Sequence, residues 1–225
     1  MNGKSTWASE LIALLHKEAL VDLRSKHGVY TIALFALVIV TTIALSVVKE
    51  TLRPSLAAGM LWISLLFSSV TAIARSFISE EESGTADLLR LVARPEIIYW
   101  AKLLYNAFIS CAIGLLILLF FLLFTRVEVA DATLFLCTVF VGCLALASGM
   151  TLTSVWSSRA RGRHAIMGVI SIPPLLWMLA PGIAATRIAL GAPASGGWHS
   201  VLAMLSLTIA YLAIGPFLFS TTWKE

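Results

Sequence analysis

Long apolar runs alternate with short polar breaks along this chain. Residues 29–48, 55–78, 96–125, 132–156, 165–179 and 198–219 are almost free of charge. A helix needs about 20 such residues to cross a hydrocarbon core ~30 Å thick, so the pattern predicts six membrane spans. The third run is too long for that thickness and should tilt or project. The fifth is short and carries Pro173-Pro174. Each proline lacks an N–H and crowds the preceding turn, so a kink or break is expected there. The Gly/Pro/Ala-rich stretch 181–197 follows, with Arg187 as its one charge, and predicts a brief re-entrant or interfacial helix around 183–190.

Residues 7–26 follow a different pattern. Trp7, Leu11, Leu14, Leu15 and Ala19 share one helical face, while Glu10, Lys17, Glu18 and Arg24 fall opposite it or at its edges. Such a helix lies in the interface plane with its apolar side down. Gly28 then allows a bend into the first span.

The most charged stretch joins the second and third spans: Glu80-Glu81-Glu82-Ser83-Gly84-Thr85-Ala86-Asp87-Leu88-Leu89-Arg90-Leu91-Val92-Ala93-Arg94-Pro95. Leu88, Leu91 and Val92 at helical spacing predict a short amphipathic helix over about 83–93. The carboxylates suit the positive end of its dipole, and Ser83 or Thr85 can cap its free N–H groups. Pro95 ends that helix and can open the next.

Composition agrees with the pattern. With 59% hydrophobic and 12% charged residues and a mean hydropathy of +0.93, the sequence reads as one all-α, multi-pass membrane domain over residues 1–225. The long unbroken runs exclude the alternating segments of an outer-membrane barrel. The net charge of +4 is spread over loops, with no basic cluster that could track a nucleic acid. Twelve of the sixteen Lys and Arg residues fall on the side that holds both ends and the central segment. The positive-inside rule places that side in the cytoplasm. Residues 1–26 mix both charges without a continuous apolar core, so no cleavable signal is expected.

The chemistry is defined mainly by what is missing. Every Asp and Glu lies in a loop or at a span end, whereas ion-coupled transporters place a carboxylate within the membrane. Gly3-Lys4-Ser5-Thr6 lacks the upstream glycine and strand of a phosphate-binding loop. His16, His27, His164 and His199 form no H-x-x-x-H pair, and G-x-S-x-G is absent. His199 beside Trp198 could meet an external ligand, although an interfacial anchor is the more economical role. Cys111, Cys137 and Cys143 read as small buried hydrophobes. Gly142, Ala145 and Gly149 share one face, as do Ser64 and Ser68, and such faces allow close helix approach. Most tryptophans sit near span ends, as an aromatic belt requires, with Trp62 and Trp177 read as deeper.

An interfacial N-terminal helix, six spans and a cytoplasmic acidic-Gly-Thr-x-Asp-Leu-Leu helix after span two resemble the permease subunits of ABC-type exporters. Gly59-Met60-Leu61-Trp62-Ile63-Ser64, leading through Ser68-Ser69 to Glu80–Leu89, together with the Pro173-Pro174 span, is similar to the CcmB family of cytochrome c maturation permeases. The likeness extends over essentially the whole chain. It implies a non-catalytic subunit of the bacterial inner membrane that binds no cofactor itself. Two copies of a separate ATPase, CcmA, would use ATP below the membrane. CcmC and CcmD would lie alongside with membrane lipid, and the haem chaperone CcmE outside. Haem would be a substrate of the complex, whether delivered or released on its chaperone, and a homodimer of this chain is also open. The resemblance assigns the ATPase-coupling surface to Glu81, Glu82, Gly84, Thr85, Asp87, Leu88 and Leu91. A permease of the same architecture for a drug, lipid or polysaccharide is the alternative, as is a scaffold without coupled motion.

Overall fold

The computed structural model describes residues 7–24, 26–46, 52–73, 93–157 and 163–223. These form seven helices: α1 (Trp7–Arg24), α2 (Lys26–Ser46), α3 (Pro54–Ile73), α4 (Pro95–Thr125), α5 (Ala132–Ser157), α6 (Arg163–Ala189) and α7 (Gly197–Trp223). Among the described residues, four stretches are long and apolar enough to cross a membrane: Pro54–Ile73, Pro95–Thr125, Ala132–Thr153 and Gly197–Thr221. Ala33–Ser46 in α2 is a shorter apolar helix. Together they make this an all-helical, multi-pass membrane fold.

Local signals explain the boundaries. Arg94 is extended, Pro95 occupies the first turn of α4, and the N–H groups of Ile97 and Ile98 donate to the Arg94 carbonyl. A proline is tolerated there because its missing N–H would have had no partner within the helix. The helix ends where Arg126 turns left-handed at φ +50° and its N–H reaches Leu122 O. Its 31 residues, rising 1.5 Å each, span about 46 Å, well beyond one hydrocarbon thickness. Asp131 caps α5, its Oδ1 accepting from the Leu134 N–H at 2.9 Å. Gly191, at φ +91°, turns the chain out of α6.

α5 occupies the centre and packs against α3, α4, α6 and α7. In its most apolar 18-residue stretch 67% of the residues are buried, against 28% and 22% in those of α4 and α7, which present one side outward. Small residues make that central position sterically feasible. A side chain at Gly142 would overlap the Trp62 indole of α3, and one at Gly149 would touch Met178 Sδ of α6 at 3.5 Å. The Gly142/Ala145/Gly149 face is therefore a packing face.

Two expectations need correction. The chain does not break at Pro173-Pro174, and 183–190 is no separate helix. Instead α6 runs from Arg163 to Ala189 with Pro173, Pro174 and Pro181 inside it. Each proline forfeits an intrahelical hydrogen bond, but neighbouring helices hold α6 on several sides. α3, α5 and α7 all pack on it, and the Tyr211 hydroxyl of α7 donates to Pro174 O at 3.3 Å. Arg187 in the last turn complements the negative end of the helix dipole.

The second correction concerns α1. Glu18, assigned by the pattern to the polar side, turns into the bundle and is only 14% exposed. Trp7, Ile12, Leu20 and Val21 are the apolar residues that face outward. The reason lies on α4, where Lys102 and Tyr105 offer partners that the sequence of α1 alone cannot reveal.

Candidate functional site

The residues assigned to ATPase coupling, Glu81, Glu82, Gly84, Thr85, Asp87, Leu88 and Leu91, lie outside the described residues, as does the helix expected over about 83–93. The structure does describe the point where that segment enters α4. Ile98, Tyr99, Leu103 and Phe219 form a buried cluster, with Leu14, Ala93, Trp100 and Leu212 packed around it. Tyr99 and Phe219 stand 5.8 Å apart between ring centroids. Close approach here depends on Gly215 of α7, where a Cβ would collide with the Tyr99 hydroxyl. One cluster thus ties α1, the start of α4 and the end of α7 together.

Polar contacts reinforce it. Lys102 Nζ lies 3.2 Å from Glu18 Oε1, and Lys17 Nζ lies 3.1 Å from the same oxygen. One turn further along α4, the Tyr105 hydroxyl donates to Asp22 Oδ2 at 2.7 Å. Lys102 is 1% exposed. A buried ammonium is tolerated only when paired, and Glu18 supplies that pairing. Burial raises the Glu18 carboxyl, but the Lys102 and Lys17 ammonium groups more than reverse this, leaving it below its ordinary 4.5. Because the folded value is the lower one, the pair's contribution is complete above 4.5 and is lost as pH falls through the folded value. Leu14→Cys in a background without native cysteines reports on this contact. Relative to the denatured chain at the same pH, which removes the loss of thiolate in acid, its maleimide labelling should stay slow down to about pH 4.5 and accelerate only below it. Acceleration beginning near neutral pH would contradict this order of events.

Sequence patterning missed a row along α4. Lys102, Asn106, Ser110 and Gly114 recur every four residues, and the first three are buried polar side chains. Asn106 Nδ2 donates to Thr151 Oγ1 of α5 at 2.9 Å. The Ser110 hydroxyl donates to the Cys143 carbonyl at 3.0 Å and lies 3.4 Å from Ser69 Oγ of α3. A Cβ at Gly114 would press on Cys143 Sγ. The signal was present in the four-residue spacing, since polar residues inside an apolar run normally face the bundle.

Deeper in the bundle, Trp62 is fully buried, and its Nε1–H donates to Thr186 Oγ1 of α6 at 2.8 Å. Gly142 and Gly182 flank its ring. This tryptophan belongs to the core, whereas Trp177 is 72% exposed on the outside of the bundle. Trp198 and His199 are both exposed at the start of α7. The described carboxylates stand on α1, in the first turn of α4 and in the loop before α5. Among the described residues no three His, Cys, Asp or Glu side chains gather as metal ligands.

The arrangement is that of a membrane bundle with a braced entry point for its central loop. Comparison with known families identifies the type of bundle. The family described as CcmB protein matches residues 9–224. The chain belongs to the CcmB family. It is also 29% identical over 213 residues to a protein of Bradyrhizobium diazoefficiens named "Heme exporter protein B", a match covering 92% of this chain and 94% of that protein. CcmB membership agrees with the helical, multi-pass bundle described above, and with the resemblance that the sequence carried from Gly59 to Leu89 and in the Pro173-Pro174 span.

Proposed function

We propose that this chain is the permease subunit of an ABC-type complex in cytochrome c maturation, moved by a separate ATPase that grips residues 80–95. The observation that carries this reading is the family match across nearly the whole chain, which includes that segment. The name of the Bradyrhizobium relative supports haem as the substrate of the complex, either delivered or released with its chaperone. In this reading α2 and α6 complete six spans, and α1 lies along the interface. The protein sits in the bacterial inner membrane with both ends and the central segment cytoplasmic, as the distribution of Lys and Arg favours.

The residues present suit a driven rather than a self-powered subunit. The carboxylates of the sequence fall at loops and span ends, which supplies no ion relay, and no phosphate-binding loop follows a strand. Energy would enter at Glu81, Glu82, Gly84, Thr85, Asp87, Leu88 and Leu91. Their leucines would seat in a cleft of the ATPase, with the carboxylates meeting basic residues at its rim. CcmA would be that ATPase, with CcmC, CcmD and CcmE as the further partners.

Affinity purification of the tagged chain in mild detergent tests the proposal. The expected result is co-purification of an ATPase together with haem-handling subunits. Recovery of an ATPase without haem-handling proteins would instead identify an exporter of another substrate. Recovery with no ATPase would remove the motor from the scheme.

A further inference from the structure

We propose that α1 and the first three turns of α4 form one rigid lever, with Lys102 as the residue that positions α1 on it. Its effect on maturation rests on the function proposed above; its mechanical claim does not. Three contacts of different kind join the two helices, one on each of three successive turns of α1. Leu14 packs against the Tyr99–Leu103 cluster, Glu18 pairs with Lys102, and Tyr105 donates to Asp22. Leu14, Glu18 and Asp22 recur every four residues, and Lys102 and Tyr105 are three apart, so each set forms one ridge of its helix.

The energetics favour joint movement. Sliding α1 away would break the pair between Glu18 and Lys102, which is 1% exposed. It would also open an apolar cluster to which Ala93 contributes, and Ala93 leads directly into α4 through Arg94 and Pro95. A force that displaces the chain entering α4 therefore carries α1 with it. The interfacial helix is then a moving part of the permease, coupled to α4, and not a float resting on the bilayer. Its outward residues Trp7, Ile12, Leu20 and Val21 would travel through the interface during each cycle.

The test uses the assembled complex in native membranes, with Cys111, Cys137 and Cys143 replaced by alanine and Leu14→Cys as the reporter. Maleimide labelling should be slow with Lys102 present and about tenfold faster in Lys102→Met, because Glu18 then keeps only Lys17 of its own helix and loses its ionic tie to α4, which favours local opening. Lys102→Arg should restore the slow rate. Unchanged labelling in Lys102→Met would overturn the lever, whether or not an ATPase is bound. The second arm joins Glu18→Cys to Lys102→Cys with a short bis-maleimide. The linked complex should retain cytochrome maturation, since a rigid lever loses nothing when locked. Loss of maturation on linking, with maturation intact in the unlinked double variant, would show that α1 must separate from α4 and would also overturn the proposal. Absence of any ATPase from the complex would defeat the functional reading alone, because the labelling rates would still decide the lever.

Discussion

Reversing Glu81 and Glu82 together to lysine is expected to abolish cytochrome c maturation while leaving the chain in the membrane at normal abundance. The two carboxylates precede Gly84-Thr85, Leu88 and Leu91 in the segment proposed to meet the ATPase. Reversal replaces attraction to basic groups by repulsion. Like charges set against each other across an interface cost several kcal/mol, and a loss of about 3 kcal/mol weakens docking roughly 100-fold. Leu88 and Leu91 are unchanged, so residual ATPase association is expected at high concentration. Covalently bound haem in cytochrome c, read alongside the ATPase rate of the purified complex, separates uncoupling from loss of assembly. Glu128→Lys is the matched control, since Glu128 is exposed in the loop between α4 and α5, remote in sequence from the coupling segment. Normal maturation in the Glu81/Glu82 variant would move the drive point elsewhere in the chain.

Whether such a drive reaches the bundle depends on the entry to α4. Pro95 and the Arg94 carbonyl fix the start of that helix, and the Tyr99 cluster joins it at once to α1 and α7. Farther along, the Asn106–Thr151 and Ser110–Cys143 contacts tie the same helix to α5. α4 is thus engaged successively by α1 and by the central α5. A displacement at its start has two places to go, and the polar row sets where each begins.

The sequence made legible whatever depends on local patterning. Uncharged runs bounded by polar breaks located α4, α5 and α7 to within a few residues, and Pro95 marked its boundary because a proline has few comfortable places in a helix. Contacts between distant residues were much less legible. Glu18 looked like a solvated charge because its partner, Lys102, lies 84 residues away on another helix. Pro173-Pro174 argued for a kink or break, and Pro181 for a separate stretch beyond it, because the groups that hold the helix, such as Tyr211, are equally remote. The four-residue spacing of Lys102, Asn106, Ser110 and Gly114 was readable in principle. An apolar run longer than a membrane is thick drew attention to its length and away from its faces. The family resemblance reached further than periodicity, since it placed the chain among the CcmB proteins from short motifs whose structural roles are only partly visible, Trp62 among them.

Trp62 is also the basis of the largest stability effect expected in the described bundle. Gly142→Val and Gly182→Val should each prevent stable assembly of α3, α5 and α6, because a Cβ at either position overlaps the indole ring. The ring has no easy escape, being fully buried with its Nε1–H committed to Thr186 at 2.8 Å. Overpacking of this kind costs about 1–3 kcal/mol where neighbours can shift, and more where they cannot. Removing the ring with Trp62→Ala is destabilising for the opposite reason, at about 3–5 kcal/mol for the lost contacts and the cavity. Contact with a common ring makes the effects non-additive. Gly182→Ala should lower the thermal aggregation midpoint in detergent when Trp62 is present, and should be nearly neutral, or even stabilising, in a Trp62→Leu background. Equal losses in both backgrounds would mean that Gly182 is required by something other than the indole. The three-helix junction around Trp62 would then not be what fixes the spacing of the bundle.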